Sequence, residues 1–293
     1  MKVRANGLDL EVDDHGPRDG EPLLMIMGLG MQLVSWPLPL VQKLADHGFR
    51  VIRFDNRDAG LSQGFDDRGV PGLAGAMLRW FLHLPVKSPY RVADMAADAR
   101  GVLDALGIDS AHVVGASLGG MVAQHLAADA PQRVRSLVLM MTTSGSRRLP
   151  GPTWAARRAL VSAPAQRTPE GLVRHLEGVF DVIGSPAYRP EPQVLHDRVV
   201  ANLARAYRPA GTTRQLVAVA ADGDRTPLLA RITAPTRVIH GEADPLVPVA
   251  SGRDLVARIA GAVGDFIPGM GHDLPEALLS RFADGIAENA RRA

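Results

Sequence analysis

The stretch VVGASLGGMVAQHLAADAP runs from Val113 to Pro131, and its reading decides the fold. An apolar, β-branched run ends in Gly115-Ala116-Ser117-Leu118-Gly119, and a helical pattern starts at once, to be stopped by Pro131. The pentapeptide fits G-x-S-x-G with both glycines in place. A serine on a sharp strand-to-helix turn stands with its hydroxyl clear of the sheet. The glycines leave room where strand and helix approach closely, since a Cβ would clash there. The helix that follows presents free backbone N–H groups, which favour developing negative charge.

Outward from this turn the chain alternates strands and helices. KVRAN and LDLEVDD read as a hairpin turning near Gly7. PLLMIMG (22–28), FRVIRFD (49–55), VRSLVLMMT (134–142), PTRVIHG (235–241) and VGDFIPG (263–269) read as strands. Helical patterns separate them, at 36–48, 90–107, GRDLVARIA and the last segment from Glu276. Such alternation predicts a mostly parallel, doubly wound sheet. From 144 to 224 the rhythm breaks, and only helical patterns punctuated by proline and glycine occur. This predicts an α/β core formed by residues 1–143 and 225–293, with 144–224 as a helical cap. The stretch 64–89 is long for a strand-to-helix connection, and its middle, LAGAMLRWFLHL, is apolar enough to be buried or to line a pocket.

A free serine is a poor nucleophile near neutral pH. It needs a base, usually histidine, and the histidine needs an orienting carboxylate. Both occur in the expected order. TRVIHGEADPLVP places Asp244 just past a strand, and DFIPGMGHDLP places His272 past the next one. Ser117, Asp244 and His272 thus each lie at the C-terminal end of a strand, where ligands gather on open α/β sheets. His240 competes with His272, and Asp222, Asp224 and Asp273 compete with Asp244, but each sits in a pattern that suits a structural role.

Composition bounds the alternatives. The 293 residues include 33 basic and 31 acidic side chains, a net charge of +2 that gives no reason to expect nucleic acid as a partner. Cysteine is absent, which excludes a disulfide framework and a thiolate nucleophile. No motif with metal-ligand spacing occurs, and GLGMQ lacks the third glycine of a dinucleotide fingerprint. No stretch approaches the roughly 18 apolar residues of a membrane helix, and MKVRANGLDLEVDDHGP has no apolar signal core. The expectation is a cytoplasmic protein with no cofactor, no metal and no membrane insertion.

With G-A-S-L-G, H-G-E-A-D-P and G-M-G-H in sequence, and FDNRDAGLS (54–62) similar to a D-x-R-x-x-G-x-S segment, the chain resembles the α/β-hydrolases over nearly its whole length. It is similar to bacterial esterases with a helical cap, and MGLGMQLVSWP resembles methyl esterases of polyketide tailoring, such as the aclacinomycin methylesterase type. The resemblance implies an oxyanion hole from the N–H groups of Leu118 and Leu29. Many members have His-Gly-x at the second site, whereas here Met27-Gly28-Leu29 stands, so other hydrogen bonds must support this loop.

The reading is therefore a serine hydrolase of small to medium, largely apolar carboxylic esters. Ser117 is the nucleophile, His272 the base and Asp244 its orienting acid. Gly28, Trp36 and Trp80 are candidates for the pocket wall, and an Arg57–Asp58 ion pair is expected to hold its loop. A C–C bond hydrolase or a lactonase would share the triad, and a non-catalytic ligand receptor would share the fold.

Overall fold

The computed structural model describes all residues, 1–293. Eight strands form one sheet: β1 (Lys2–Ala5), β2 (Leu8–His15), β3 (Glu21–Ile26), β4 (Phe49–Phe54), β5 (Ala111–Ala116), β6 (Val134–Met140), β7 (Thr236–Gly241) and β8 (Val263–Ile267). Their spatial order is β1-β2-β4-β3-β5-β6-β7-β8. β2 pairs antiparallel with both β1 and β4, and every later pairing is parallel. The β1–β2 turn uses Asn6 and Gly7, both at positive φ (48° and 75°), the signature of a tight hairpin.

The helices are α1 (Leu38–Asp46), α2 (Leu73–Phe81), α3 (Val92–Ala105), α4 (Leu118–Asp129), α5 (Trp154–Val161), α6 (Pro169–Ile183), α7 (Pro192–Arg205), α8 (Pro209–Asp222), α9 (Thr226–Leu229), α10 (Ala250–Arg258) and α11 (Leu279–Ala290). Strand side chains alternate between the two faces. Leu24, Ile26, Val113, Leu137 and Leu139 pack with α3, α4 and α10. Leu23, Met25, Val114, Val138 and Met140 pack with α1 and α11. Both faces are thus covered, which is why the central strands read as unbroken apolar runs. Every residue of α4 from Leu118 to Ala128 is buried, so the helix after Ser117 is wedged into the core.

Chain succession reverses between β3 and β5, which lie side by side. At such a switch point a crevice opens beyond the carboxyl ends of the strands. The loop after β3 carries Met27-Gly28-Leu29, and the turn after β5 carries Ser117. Helices α5 to α8 form the insertion between β6 and β7 that the sequence pattern anticipates. No helix is long and apolar enough to cross a membrane.

Two expectations need correction. The 64–89 segment does form a helix, α2, but most of it is not buried: Phe81 is 71% and Leu78 58% exposed. Arg57 and Asp58 do not pair with each other. Arg57 forms a bidentate pair with Asp98 of α3 (2.6 and 2.7 Å), and Asp58 is gripped by Arg214 of α8 (2.8 and 2.7 Å). Arg57 and Asp58 lie in a tight turn with Asp58 at φ 67°, and each finds its partner on a different helix.

Candidate active site

Ser117 has φ 53° and ψ −118°, a conformation that L-residues other than glycine rarely adopt. The strain is held by neighbours on every side. The Ser117 N–H donates to the Met140 carbonyl (2.9 Å), and its own carbonyl accepts from Thr142 Oγ1 (2.7 Å) and the Gly120 N–H (2.9 Å). The glycines are required by contact. A Cβ on Gly119 would overlap the Ile26 carbonyl oxygen, and one on Gly115 would overlap the backbone of Gly119. A Cβ on Gly28 would stand 3.2 Å from Ser117 Cβ, so the loop after β3 lies directly against the serine.

The three side chains singled out by spacing meet. Ser117 Oγ lies 3.0 Å from His272 Nε2, and His272 Nδ1 lies 2.7 Å from Asp244 Oδ2. The other Asp244 oxygen accepts the N–H groups of Leu246 (2.9 Å) and Val247 (2.8 Å), which fixes the carboxylate in its turn. With a proton on Nδ1 shared with Asp244, Nε2 is free to accept from the serine hydroxyl. The Asp244 side chain has no exposed surface and the His272 ring only 8%, so their mutual attraction is little screened by water.

His240 stands behind this chain. Its Nε2 donates to the Val247 carbonyl at 2.7 Å, and burial lowers its pKa, which keeps the ring neutral. Asp273 accepts from the Ser185 hydroxyl, and no hydrogen bond joins it to the His272 imidazole. Burial raises the Asp273 pKa above the ordinary carboxylate value, against the opposing pull of Ser185.

The loop after β3 forms a turn in which the Met31 N–H donates to Gly28 O (3.2 Å), with Gly30 at φ 65°. Positive φ at the third position is the mark of a type II turn. The Leu29 N–H has no acceptor among the loop's hydrogen bonds. Leu118 opens α4, so its N–H has no helical partner one turn back. Without the family's histidine, the loop is held by other groups. Gln215 Oε1 accepts the Gly30 N–H (2.8 Å), Asp55 Oδ1 accepts the Leu33 N–H (2.6 Å) and Asn56 Nδ2 donates to Met27 O (2.9 Å).

The helical insertion reaches each of the site's other loops. Ile183 O accepts the His272 N–H (2.7 Å), and Ser185 Oγ accepts the Gly271 N–H (2.8 Å). The Thr153 N–H donates to Pro245 O (2.8 Å) beside Asp244. Arg205 reaches both Gln32 (2.6 Å) and Asp55 (2.7 Å). The bracing residues of the insertion, Thr153, Ile183, Ser185 and Arg205, carry no motif. Only their proximity in the fold reveals them.

Two pocket candidates fall elsewhere. Trp36 has no exposed surface and packs in the core with Leu40 and Leu44 of α1, so it walls no open pocket. Trp80 is 40% exposed, and its ring carries the Arg147 guanidinium 4.8 Å from its centroid; its partner is a solvent-facing arginine.

A doubly wound sheet with a serine elbow at its switch point, facing a histidine and a carboxylate from the last two strands, defines a protein of the hydrolase class. The chain belongs to the alpha/beta hydrolase fold family, whose model matches residues 21–276. It is 32% identical over 296 residues to rhodomycin D methylesterase DauP of Streptomyces sp. (strain C5), covering 93% of this chain and 91% of that protein. It is 29% identical over 255 residues to a 2-hydroxy-6-oxononadienedioate/2-hydroxy-6-oxononatrienedioate hydrolase of Pseudomonas sp, covering 83% and 78% of the two chains. Among solved structures, a meta-cleavage product hydrolase from Pseudomonas fluorescens IP01 superposes with a TM-score of 0.76 at 20% identity, covering 100% of this chain and 97% of that one.

Proposed function

We propose that the protein is a serine hydrolase of largely apolar carboxylic esters, with methyl esters as the favoured class. The observation that carries the reading is the continuous hydrogen-bonded line Ser117–His272–Asp244, at 3.0 and 2.7 Å. Ser117 Oγ attacks the ester carbonyl as His272 Nε2 takes its proton. Asp244 holds the imidazole tautomer and stabilises the imidazolium that forms. The Leu29 and Leu118 N–H groups receive the oxyanion. His272 returns the proton to the leaving alcohol, the acyl group stays on Ser117, and water activated by the same histidine releases the acid. Residues 144–224 act as the cap that shapes the pocket, resting on a core of residues 1–143 and 225–293.

The methyl-ester preference draws on the similarity to the rhodomycin D methylesterase, which extends over nearly all of both chains. The test is hydrolysis of p-nitrophenyl esters of graded acyl length, together with methyl esters of polycyclic aromatic acids, by wild type and Ser117→Ala. Turnover that disappears in the variant supports a serine esterase, and preference for the methyl esters supports the narrower class. Absence of turnover on every ester, with activity on a vinylogous 1,5-diketone instead, would replace this reading with C–C bond hydrolysis.

A further inference from the structure

Helix α2 rests on α8, with Ala76 buried and Leu73 and Met77 partly covered. A surface helix held in this way ordinarily turns a polar face outward. Here the outward positions are apolar as well. Leu78, Phe81, Leu82 and Leu84 are 58%, 71%, 53% and 46% exposed. Apolar side chains grouped on a surface in this manner mark a contact with something else.

The surface is built rather than loose. Arg79 Nε donates to Pro85 O (2.7 Å), and the Leu84 N–H donates to Arg79 O (2.8 Å), which folds the chain after α2 back on the helix. Arg147, from the start of the helical insertion, stacks on Trp80 and donates to its carbonyl (2.7 Å).

Charge selects the partner. Between Asp67 and Asp94 there is no acidic residue; Arg68 is paired with Asp67 at 3.8 Å, which leaves Arg79, Lys87 and Arg91 as the exposed cations of the segment. A second copy of the chain meeting this face about a two-fold axis would set the patch against itself, cation against cation. An anionic phospholipid surface matches both properties: its headgroups attract the cations, and its acyl boundary accepts the leucines and the phenylalanine.

We propose that the α2 segment, residues 68–91, is a peripheral docking surface for anionic phospholipid bilayers. It binds without spanning, through Leu78, Phe81, Leu82 and Leu84 and the cations beside them. This surface is independent of the catalytic reading and holds whatever the substrate.

The test is co-sedimentation of the full chain with vesicles of phosphatidylcholine alone or with phosphatidylglycerol added. Wild type is compared with Phe81→Asp and Arg79→Glu, and thermal melts establish that each variant is folded. The expected result is binding about ten-fold tighter or more to the phosphatidylglycerol vesicles at low salt. Both substitutions should weaken it at least several-fold, and added salt should weaken it in wild type. Equal binding to both vesicle types, binding unchanged in both variants, or no binding at all would overturn the proposal. So would a wild-type dimer that Phe81→Asp converts to monomer, which would give the face to a second copy.

Discussion

Gln215, on helix α8 of the insertion, accepts the Gly30 N–H at 2.8 Å and donates to the Arg57 carbonyl at 2.7 Å. The side chain is fully buried, and it ties the turn carrying Leu29 to a segment 185 residues away in sequence. The insertion therefore helps to hold the turn of the candidate oxyanion hole.

Gln215→Leu removes both bonds and strands a buried donor and a buried acceptor. Stability should fall by about 1–3 kcal/mol. If Leu29 donates to the oxyanion, kcat should fall more than KM rises, because the lost order matters most in the transition state. Denaturant unfolding and steady-state ester hydrolysis measure the two effects separately. A variant with unchanged kcat would deny the loop this role.

Asp244→Asn leaves the packing almost unaltered but removes the acceptor that holds a proton on His272 Nδ1. A drop in kcat on the order of 10⁴ is the expected result, as when the corresponding acid of a serine protease triad is amidated. Full-length ester turnover assays across pH would detect it, and a loss of less than ten-fold would remove Asp244 from the orienting role.

Ser117 sits at φ 53°. Backbone strain of this kind is worth about 1–3 kcal/mol, and a glycine there gives back part of that gain through its greater unfolded freedom. Ser117→Gly should therefore unfold at a higher urea concentration than Ser117→Ala, by about 1 kcal/mol, with both inactive. Equal midpoints would mean that the turn is relaxed in solution.

Asp58 and Arg214 have side chains 0% and 1% exposed. Burial alone would raise the Asp58 pKa, but hydrogen bonds from Arg214, the Phe65 N–H and Tyr90 outweigh it and hold the carboxyl below its ordinary value. A carboxyl depressed on folding contributes stability that is complete above the unfolded value, near 3.9, and that is lost as pH falls through the lower folded value. The α8 attachment should thus survive mild acid and weaken below about pH 4. Arg214→Met strands the Asp58 charge and should destabilise the protein by about 3–5 kcal/mol at neutral pH. Thermal melts from pH 3 to 7 compare the two chains.

Much of the architecture is legible in sequence because it is written in local period. The apolar runs of β3 to β7, the Asn6-Gly7 turn and the four helices of the insertion all depend on near neighbours. Ser117, Asp244 and His272 are legible for a related reason, since each follows a strand in a short motif. The partners of Arg57 and Asp58 are not legible. They lie 41 and 156 residues away, and nothing local distinguishes Asp98 or Arg214 from other charged helix residues. Gln215 and Ser185 carry no motif at all. The hydrophobicity of α2 is visible in the sequence, but whether anything covers a hydrophobic face depends on what else the fold places beside it. Trp36 misled for the same reason: its ring suits a pocket wall or a core equally, and packing against α1 chose the core.

Ser117 and His272 are 155 residues apart, and the strand that delivers the histidine, β8, is the last to join the sheet in sequence. A chain emerging from the ribosome carries its serine long before it carries the base. Until β8 docks against β7, the elbow can fold and still hold an unreactive hydroxyl. On the proposed reading, activity therefore requires the C-terminal strand to be seated, whereas the elbow itself does not. In a refolding experiment, ester hydrolysis should return later than the far-ultraviolet helical signal, and its time course should report the seating of the C-terminal strand.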